Sequence, residues 1–455
     1  MPSDRGGLFG PLSGGSRADA ELSDRAFLQA MLDAERALAV ASARVGIVPE
    51  AAAAAIAGAC QADAFDPDDL GRRALGSGNP VVPLVRDLTE RVAEAAGPEA
   101  AARWVHSGAT SQDILDTAAS LVAFRALGPI LDDLEGASRA AADLADRHQA
   151  TVMAGRTLGQ QALPTTFGLK AAGWLVALDE AAAELERVRR TRLAAQLGGA
   201  AGTLASLGPA GVEVTRHYAQ VLALCEPTLP WHTNRARVAE LAGALGTAGG
   251  IMGKLALDVT LLAQTEIGEV AEPSGEGRGG SSTLPHKRNP VGAVLVRAAT
   301  ARAPGLVATV LAAMAQEQER ATGAWHAEWE PQAELLRLVG GAAARTRELL
   351  EGLEVHPDRM RANLEATGGL LLTERVAGVL ADPLGRVVAN DLVRRMAGEA
   401  AASGRSFREV LLADSTVRAH LDEAEIDRLL DPAGYLGSAS QLIDRALAAH
   451  RPRRG

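Results

Sequence analysis

Long stretches without proline constrain this fold more than any other feature of the sequence. Proline is absent from residues 165–208 and 231–272, and alanine and leucine are the commonest residues there. Both have high helix propensity, whereas β-branched residues, which favour strands, are scarce. Residues 174–197 repeat apolar positions at helical spacing with charges between them, and residues 250–270 are apolar around most of a helix. The sequence therefore predicts an all-α fold with a long central helical bundle.

Charge and composition narrow the class of partner. The chain of 455 residues is 47% hydrophobic and carries a formal net charge of −10. No broad basic surface is expected, which argues against nucleic acid or an anionic membrane as the main partner. We find no apolar stretch long enough to span a bilayer and no signal peptide at the start. We therefore expect a cytoplasmic protein without a membrane partner.

Cysteine usage and ligand spacing give no sign of a metal centre. Cys60 and Cys225 are the two thiols of the chain, which are too few for a disulfide framework or a metal cluster. No group of histidine, cysteine or acidic residues has the spacing of metal ligands. We expect no metal and no other cofactor.

Three blocks follow one another along the chain. We expect an N-terminal helical domain at 1–110, a central long-helix bundle domain at 111–352, and a C-terminal helical domain at 353–455 with shorter helices and more turns. The most unusual local sequences lie around the central block.

The first of these is "VHSGATSQDILDTAASLVAF", residues 105–124. Thr110 and Asp113 have the spacing of a capping box before an apolar periodic run, so a helix is predicted to start there. Its free N–H groups and the hydroxyls of Thr110 and Ser111 would form a receptor for a carboxylate. Taken alone, the stretch more often indicates only a well-capped structural helix, because capping boxes are common.

The second is "GSSTLPHKRNP", residues 280–290, behind the glycine-rich run "SGEGRGG". Asn289 can cap a helix whose first residue is Pro290, and Lys287, one of only three lysines, adds a full positive charge. Ser281 and Ser282 follow glycines that let the backbone approach a ligand. The stretch lacks the glycine–lysine–serine/threonine order of a nucleotide triphosphate loop.

The third is "GRTLGQQA", residues 155–162. It brings Arg156, Thr157, Gln160 and Gln161 together just before a long predicted helix. By itself it is typical of a polar turn between helices.

Together the three stretches resemble the fumarase/aspartase superfamily. "GSSTLPHKRNP" is similar to its signature G-S-S-x-M-P-x-K-x-N-P, with Leu284 at the usual methionine, and "HSGATSQD" and "GRTLGQQA" are similar to its two other shared regions, in the same order. The resemblance implies a homotetramer whose central helices form a shared bundle. It also implies that each active site is assembled from three regions of three different subunits.

The resemblance also implies a chemistry, the loss or addition of a group β to a carboxylate. A base removes the α proton, and the charge that develops must be held by preorganised donors. Carried over to this chain, Ser282 is the base and Lys287 holds charge. The residues expected to be catalytic are Ser282, Lys287 and His106. The residues expected to bind substrate are Asn79, Thr110, Ser111, Gln160, Asn234, Ser281 and Asn289.

Within the superfamily, two groups are similar to this chain. Adenylosuccinate lyases resemble it over "TVMAGRT" and "PTTFGLK" but carry a catalytic histidine where this chain has Leu158. Bacterial 3-carboxy-cis,cis-muconate cycloisomerases resemble it over "GSGNPVVPLV", "PWHTNRAR", "WHAEWE" and "LLDPAGYLG". The chain departs from the cycloisomerases at Leu158, Asn234 and Ala236. The resemblance implies that the substrate is a small di- or tricarboxylate. The cycloisomerase reaction is the preferred prediction.

Leu158 limits the kind of leaving group that the reaction can have. A carboxylate, whose conjugate acid has a pKa of about 4, departs without being protonated, so no acid is required at this position. Nitrite would satisfy the same condition, so a lyase that releases nitrite from a substituted succinate is the alternative. A structural protein recruited from the superfamily, as lens crystallins are, is the alternative outside enzymes.

The histidines and the glycine-rich turn complete the expectations. His106 is favoured over His286 as a residue of the site, and His148, His232 and His326 are each expected to be structural. The stretch 198–211, "GGAAGTLASLGPAG", lacks the preceding strand of a dinucleotide loop and is expected to be a tight turn near the substrate.

Overall fold

The computed structural model describes residues 8–97, 101–273, 279–280, 284 and 287–450. Most of them are helical, which confirms the all-α class. The α-helices are α1 Gly10–Ser13, α2 Asp24–Arg44, α3 Glu50–Ala59, α4 Pro67–Ala74, α5 Val81–Ala96, α6 Ser111–Arg147, α7 Phe167–Thr191, α8 Gly211–Leu222, α9 Ala236–Leu262, α10 Val291–Ala312, α11 Ala324–Ala327, α12 Trp329–Glu351, α13 Pro357–Glu365, α14 Thr373–Leu384, α15 Arg386–Ser403, α16 Phe407–Ala413, α17 Ser415–Arg418, α18 Glu423–Leu429 and α19 Ala439–Ala449. The strands are β1 Val152–Thr157, β2 Gln160–Thr166, β3 Val270–Ala271 and β4 Glu354–Val355.

The three longest of the described α-helices lie in the central part of the chain. Helix α6 has 37 residues, α7 has 25 and α9 has 27. At about 1.5 Å per residue, α6 is about 55 Å long. Helices α7 and α9 lie within the two proline-free stretches, as predicted. Helix α6 continues through Pro129, although proline removes a backbone donor, so proline spacing alone would not have given its length.

The described chain forms two compact units, each made of three segments. The first consists of Met1–Leu134, Glu180–Lys254 and Val294–Thr346. The second consists of Glu135–Asp179, Leu255–Ala293 and Arg347–Gly455. The division into three domains at residues 110 and 352 follows chain order and remains a prediction.

In the first unit, α2 packs against α3 and α8 around a dense apolar core. Leu28, Leu32, Leu38 and Tyr218 are among its fully buried side chains. Burying a side chain of this size contributes about 1.5–3 kcal/mol, so this packing fixes α2 firmly. The same helix carries a buried carboxylate, Glu35, into the core.

Glycines let α9 and α10 approach each other closely in the first unit. A Cβ atom at Gly246 would lie 2.8 Å from Cγ2 of Val307, and one at Gly253 would lie 2.7 Å from Oγ1 of Thr300. Real Cβ atoms do not come so close to their neighbours, so larger residues at either position would push the helices apart.

The second unit has its own core, formed by α14, α15, α16 and α18. Val376, Leu380, Met396, Phe407 and Ile426 are buried in it. Strands β1 and β2 form an antiparallel hairpin, and Ala154 of β1 packs against Leu364 and Leu371. The hairpin is therefore held against α13 by buried contacts rather than left as a free loop.

Three helices correct the expectation that no apolar stretch could span a bilayer. By length and composition alone, α6, α9 and α10 are long and apolar enough, because runs of alanine, leucine and valine with few charges fill an 18-residue window. The share of that window buried within the chain is 72% for α6, 44% for α9 and 28% for α10. Helices α9 and α10 thus leave much of their apolar surface uncovered by this chain.

Candidate active site

Asp113, in the first turn of α6, is the centre of a buried hydrogen-bond network in the first unit. Its carboxylate accepts hydrogen bonds from the backbone N–H of Gly198 at 3.0 Å and of Gly199 at 2.9 Å. Oδ1 lies 2.7 Å from Nε2 of the buried His232. The carboxylate therefore ties the glycine-rich turn and His232 to the start of α6.

Half of the predicted capping box is formed. Oδ2 of Asp113 accepts a hydrogen bond from the N–H of Thr110 at 2.9 Å, but the N–H of Asp113 donates to the carbonyl oxygen of Thr110 instead of its hydroxyl. Among the described residues, none accepts a hydrogen bond from the N–H of Ser111 or Gln112. These two donors and the Thr110 hydroxyl remain available to an anion at the positive end of the helix dipole.

His106 lies at this helix start in a left-handed backbone conformation, with φ +58°. Its Nδ1 is 2.6 Å from Oε1 of Glu35, a residue of α2 that sequence reasoning missed. Burial lowers the pKa of the imidazole, but the charge and hydrogen bond of Glu35 and the charge of Asp113 outweigh burial and raise it. Glu35 and His106 are 71 residues apart, so no local pattern could have paired them.

Arg235 is the centre of a second buried cluster. The cluster includes Asp116, which lies one turn after Asp113 on α6. The guanidinium of Arg235 donates to both oxygens of Asp116, at 2.8 and 3.0 Å, and pairs with Glu328. Trp325 donates to Asp116 at 3.0 Å, and Arg235 lies over the ring of Trp231. Burial raises the pKa of Glu328 to about 7, with Arg235 lowering it and Asp116 raising it further. Two carboxylates thus share one guanidinium in the core.

In the second unit, Arg156 of β1 is fully engaged. Its guanidinium makes a bidentate pair with the buried carboxylate of Glu269, at 2.6 and 2.9 Å, and Asn363 donates to the same carboxylate at 2.8 Å. Bidentate pairs of this kind are strong and geometrically specific. Arg156 therefore anchors the hairpin, and Gln161 assists by donating to the Asn363 carbonyl at 3.1 Å.

The tip of the hairpin consists of Leu158 and Gly159, both with positive φ, at +52° and +77°. Two positive φ values in a two-residue loop are those of a type I′ turn, which favours asparagine or glycine. Leu158 is completely exposed. Leucine is unfavourable here both for its backbone and for its exposure. Gln160, predicted to bind substrate, follows the tip and is exposed at the start of β2.

The signature stretch is only partly described. Ser281, Ser282 and His286 lie outside the described residues. Lys287 is exposed, and Gly280 and Arg288 form an isolated bridge. The N–H of Asn289 donates to the carbonyl of Gly279 at 2.9 Å, so the two ends of the stretch lie close together.

The start of α10 differs from the expectation. The helix begins at Val291, one residue after the predicted Pro290. The carboxylate of Glu272 accepts hydrogen bonds from the N–H groups of Gly292 at 2.9 Å and Ala293 at 2.7 Å. A carboxylate of the chain itself thus occupies these two donors, and binding of a substrate carboxylate at this helix start remains a prediction.

Asn79 and Asn234 make local bonds at helix starts. Oδ1 of Asn79 accepts a hydrogen bond from the N–H of Val81 at 3.1 Å, and Oδ1 of Asn234 accepts one from Ala236 at 3.4 Å. Nδ2 of Asn79 also donates to the Ser77 carbonyl, so its amide N–H donors are available to other partners only in part.

Comparison with known proteins decides the family. A family model described as lyase matches residues 16–305, and a model described as adenylosuccinate lyase C-terminus matches residues 369–446. The chain belongs to the fumarase/aspartase superfamily of lyases. The resemblance found in the three sequence motifs is thereby confirmed.

Two relatives of this lyase are equally similar to it. A 3-carboxy-cis,cis-muconate cycloisomerase of Pseudomonas aeruginosa is 49% identical over 431 residues, covering 95% of this chain and 94% of the relative. A nitrosuccinate lyase of Streptomyces davaonensis is 49% identical over 453 residues, covering 97% and 94%. Overall identity therefore does not separate these two activities.

A solved structure confirms the fold of the lyase. The crystal structure of the 3-carboxy-cis,cis-muconate lactonizing enzyme of Pseudomonas putida matches with a TM-score of 0.91 at 44% identity, covering 97% of this chain and 98% of that one. The all-α fold of the chain is therefore a known one.

Proposed function

We propose that the protein interconverts 3-carboxy-cis,cis-muconate and 4-carboxymuconolactone in aromatic catabolism, without a metal or other cofactor. The observation that carries the proposal is the match to the crystal structure of the 3-carboxy-cis,cis-muconate lactonizing enzyme, with a TM-score of 0.91 at 44% identity. Leu158, an apolar and fully exposed residue at the hairpin tip, supports the same class of reaction. Adenylosuccinate lyases resemble this chain here but carry a histidine that protonates the leaving group. Leucine cannot donate a proton, so this position favours a leaving group that departs as a stable anion.

The proposed reaction satisfies that requirement. In the direction of lactone opening, a base takes the proton α to a carboxylate, the ring carbon–oxygen bond breaks, and the ring oxygen leaves as a carboxylate. In the reverse direction, a carboxylate oxygen adds at the β carbon and the proton returns to the α carbon. Atoms and electrons balance without a co-reactant, and the departing carboxylate needs no acid.

The residues proposed for these steps come from two parts of the chain. Ser282 would take the proton, activated by the positive charge of Lys287, which is exposed and near it in sequence. The free N–H groups at the start of α6, together with His106, would hold a substrate carboxylate. The remaining residues proposed to bind substrate are Asn79, Thr110, Ser111, Gln160, Asn234, Ser281 and Asn289.

We further propose a soluble, cytoplasmic homotetramer in which each site combines regions of three subunits. The apolar surfaces of α9 and α10 that this chain leaves uncovered support the assembly, because burial between subunits would remove them from water. Light scattering would then give a mass four times that of the 47.0 kDa chain. A monomer at micromolar concentration would contradict the tetramer.

An ultraviolet assay tests the function. Purified protein without added metal or nucleotide is mixed with 3-carboxy-cis,cis-muconate, and loss of diene absorbance is followed. We expect a kcat/KM of about 10⁴ M⁻¹s⁻¹ or more, a usual value for a physiological substrate. Ser282→Ala should lower turnover by orders of magnitude and keep the helical circular dichroism spectrum. Near-normal activity in that variant would remove Ser282 from its role.

Release of nitrite from nitrosuccinate is the second candidate. It is favoured by the 49% identical nitrosuccinate lyase and by the same hairpin tip, because nitrite is also a leaving group that needs no acid. The assay distinguishes the two reactions, since fumarate and nitrite would form from nitrosuccinate while muconate would remain unchanged.

A further inference from the structure

His106 and Glu35, which contact each other, are each in an energetically unfavourable state. His106 has φ +58°, a left-handed conformation that costs about 1–2 kcal/mol for a residue other than glycine. Glu35 has a completely buried side chain, and its Oε2 has no hydrogen-bond partner among the described residues. A buried carboxylate oxygen without a partner is also costly. Strain and unpaired groups of this kind concentrate at functional sites.

The geometry assigns a direction to the imidazole. Nδ1 of His106 lies 2.6 Å from Oε1 of Glu35, so an ionised Glu35 accepts the proton of Nδ1. Nε2 has no hydrogen-bond partner among the described residues, and the His106 side chain remains 19% exposed. Nε2 is therefore the nitrogen left for a ligand.

Other titratable and charged groups surround this pair. Asp113 is the other charged group that acts on His106. Cys60 and Tyr218 lie near Glu35, and burial raises the pKa of both, so they stay neutral near pH 7. Arg36, the next residue of α2, pairs with Asp33.

We propose that Glu35 is a positioning residue that orients His106 and balances its positive charge, so that Nε2–H donates to a substrate carboxylate at the start of α6. The inference rests on the proposed function only for the identity of the carboxylate. An imidazolium beside the free N–H groups of Ser111 and Gln112 would add a full charge to the dipole of the helix. Without Glu35, the pKa of the imidazole would be lower, and the ring could turn either nitrogen toward the ligand.

Chemical labelling tests the pairing without any substrate. Diethyl pyrocarbonate acylates neutral imidazole, and the tryptic peptide 104–125 contains His106 as its only histidine. The labelling rate of this peptide is measured by mass spectrometry against pH in the wild-type protein and in Glu35→Gln. Loss of a charged hydrogen bond should lower the pH of half-maximal labelling by about one to two units. An unchanged midpoint would overturn the proposal.

Kinetics then test whether the charge matters to catalysis. In Glu35→Gln, kcat/KM should fall about tenfold or more at a pH between the two labelling midpoints, mainly through KM, and the difference from wild type should close below the lower midpoint, where the imidazole is protonated in both. A loss that is equal at every pH would indicate a merely structural role and contradict the proposal.

Two further variants distinguish a specific effect on His106 from a general effect of losing a carboxylate or of misfolding. Asp33→Asn removes a carboxylate from the same helix that pairs with Gln29 and Arg125, and it should leave the midpoint of His106 unchanged. If Glu35→Gln does not fold, Glu35→Asp should show an intermediate shift, and no shift would overturn the proposal. A wild-type protein that converts neither muconate nor nitrosuccinate would refute the proposed function, while the labelling result would still decide the role of Glu35.

Discussion

Oδ1 of Asp113 lies 2.7 Å from Nε2 of His232, although 119 residues separate the two along the chain. The same carboxylate holds the N–H groups of Thr110, Gly198 and Gly199. A buried carboxylate with four donors is a fixed point around which the start of α6 and the glycine-rich turn are built. Sequence reasoning identified Asp113 only as a helix cap.

Replacing this carboxylate should destabilise the first unit strongly. Asp113→Asn puts an amide N–H₂ against groups that all donate, so about 3 kcal/mol or more of the free energy of unfolding should be lost. Asp146→Asn, at an exposed position of the same helix, is the matched control and should change stability little. Denaturant unfolding measures both. Equal, small losses would show that the network contributes no stability.

The titration of Glu328 should contribute to the pH dependence of stability. Its pKa is raised by burial to about 7 in the folded protein, above the usual value of 4.5, so its contribution is fully present below about pH 4.5 and is lost as the pH rises through 7. Glu328→Gln should remove this decline, which amounts to about 3 kcal/mol. Glu330→Gln, an exposed neighbour on α12, should keep the decline of the wild type. A Glu328→Gln protein whose stability falls with pH as the wild type does would contradict the assignment.

The carboxylate at the start of α10 offers a test of helix capping. Glu272→Ala frees the N–H groups of Gly292 and Ala293, so unfolding should become easier by about 1 kcal/mol. Glu266→Ala, an exposed acidic residue nearby in sequence, should have no such effect. Thermal unfolding compares the two, and equal midpoints would mean that the cap is not stabilising.

Replacing Leu158 should raise the stability of the protein and lower its activity. Asparagine accepts the left-handed conformation and forms the favoured Asn-Gly turn with Gly159, so Leu158→Asn should stabilise the hairpin by about 1 kcal/mol. If Leu158 lines the site, activity on muconate should fall at the same time. Differential scanning calorimetry and the ultraviolet assay give the two readouts. A less stable variant would show that the turn is not strained.

Lys287 should matter for its position and not only for its charge. Lys287→Met should lower kcat/KM about 100-fold, because one preorganised cation is lost from the charge that develops in the transition state. Arg288→Met removes the same charge one residue further on, from a side chain that pairs with Glu354, and should have a much smaller effect. Comparable losses of kcat/KM in both variants would show that the charge of Lys287 matters but its position does not.

The sequence predicted those features that depend on local spacing. Proline-free runs gave α7 and α9, and the Thr110–Asp113 spacing gave the start of α6. The β1–β2 hairpin was missed, because Leu-Gly at its tip is a weak turn signal and the stretch was interpreted as a turn between helices. The side chain that caps α10 comes from Glu272, 20 residues away, which local spacing does not reveal.

The charged partners of the site could not be predicted at all. Glu35 with His106, and Arg235 with Asp116, are brought together over 71 and 119 residues by the packing of whole helices. His232 was expected to be structural, and its bond to Asp113 gives it a place beside the site in the first unit. Such pairs depend on tertiary contacts, for which residue type alone is a weak signal.

The most direct test of the account is to run the reaction on 3-carboxy-cis,cis-muconate in D₂O and examine the product by NMR. We predict 4-carboxymuconolactone with a single deuteron on the carbon α to a carboxylate, since the proton of the base exchanges with solvent before it is delivered. Absence of the lactone, or a lactone without deuterium at that carbon, would contradict the proposed cycloisomerisation by proton transfer.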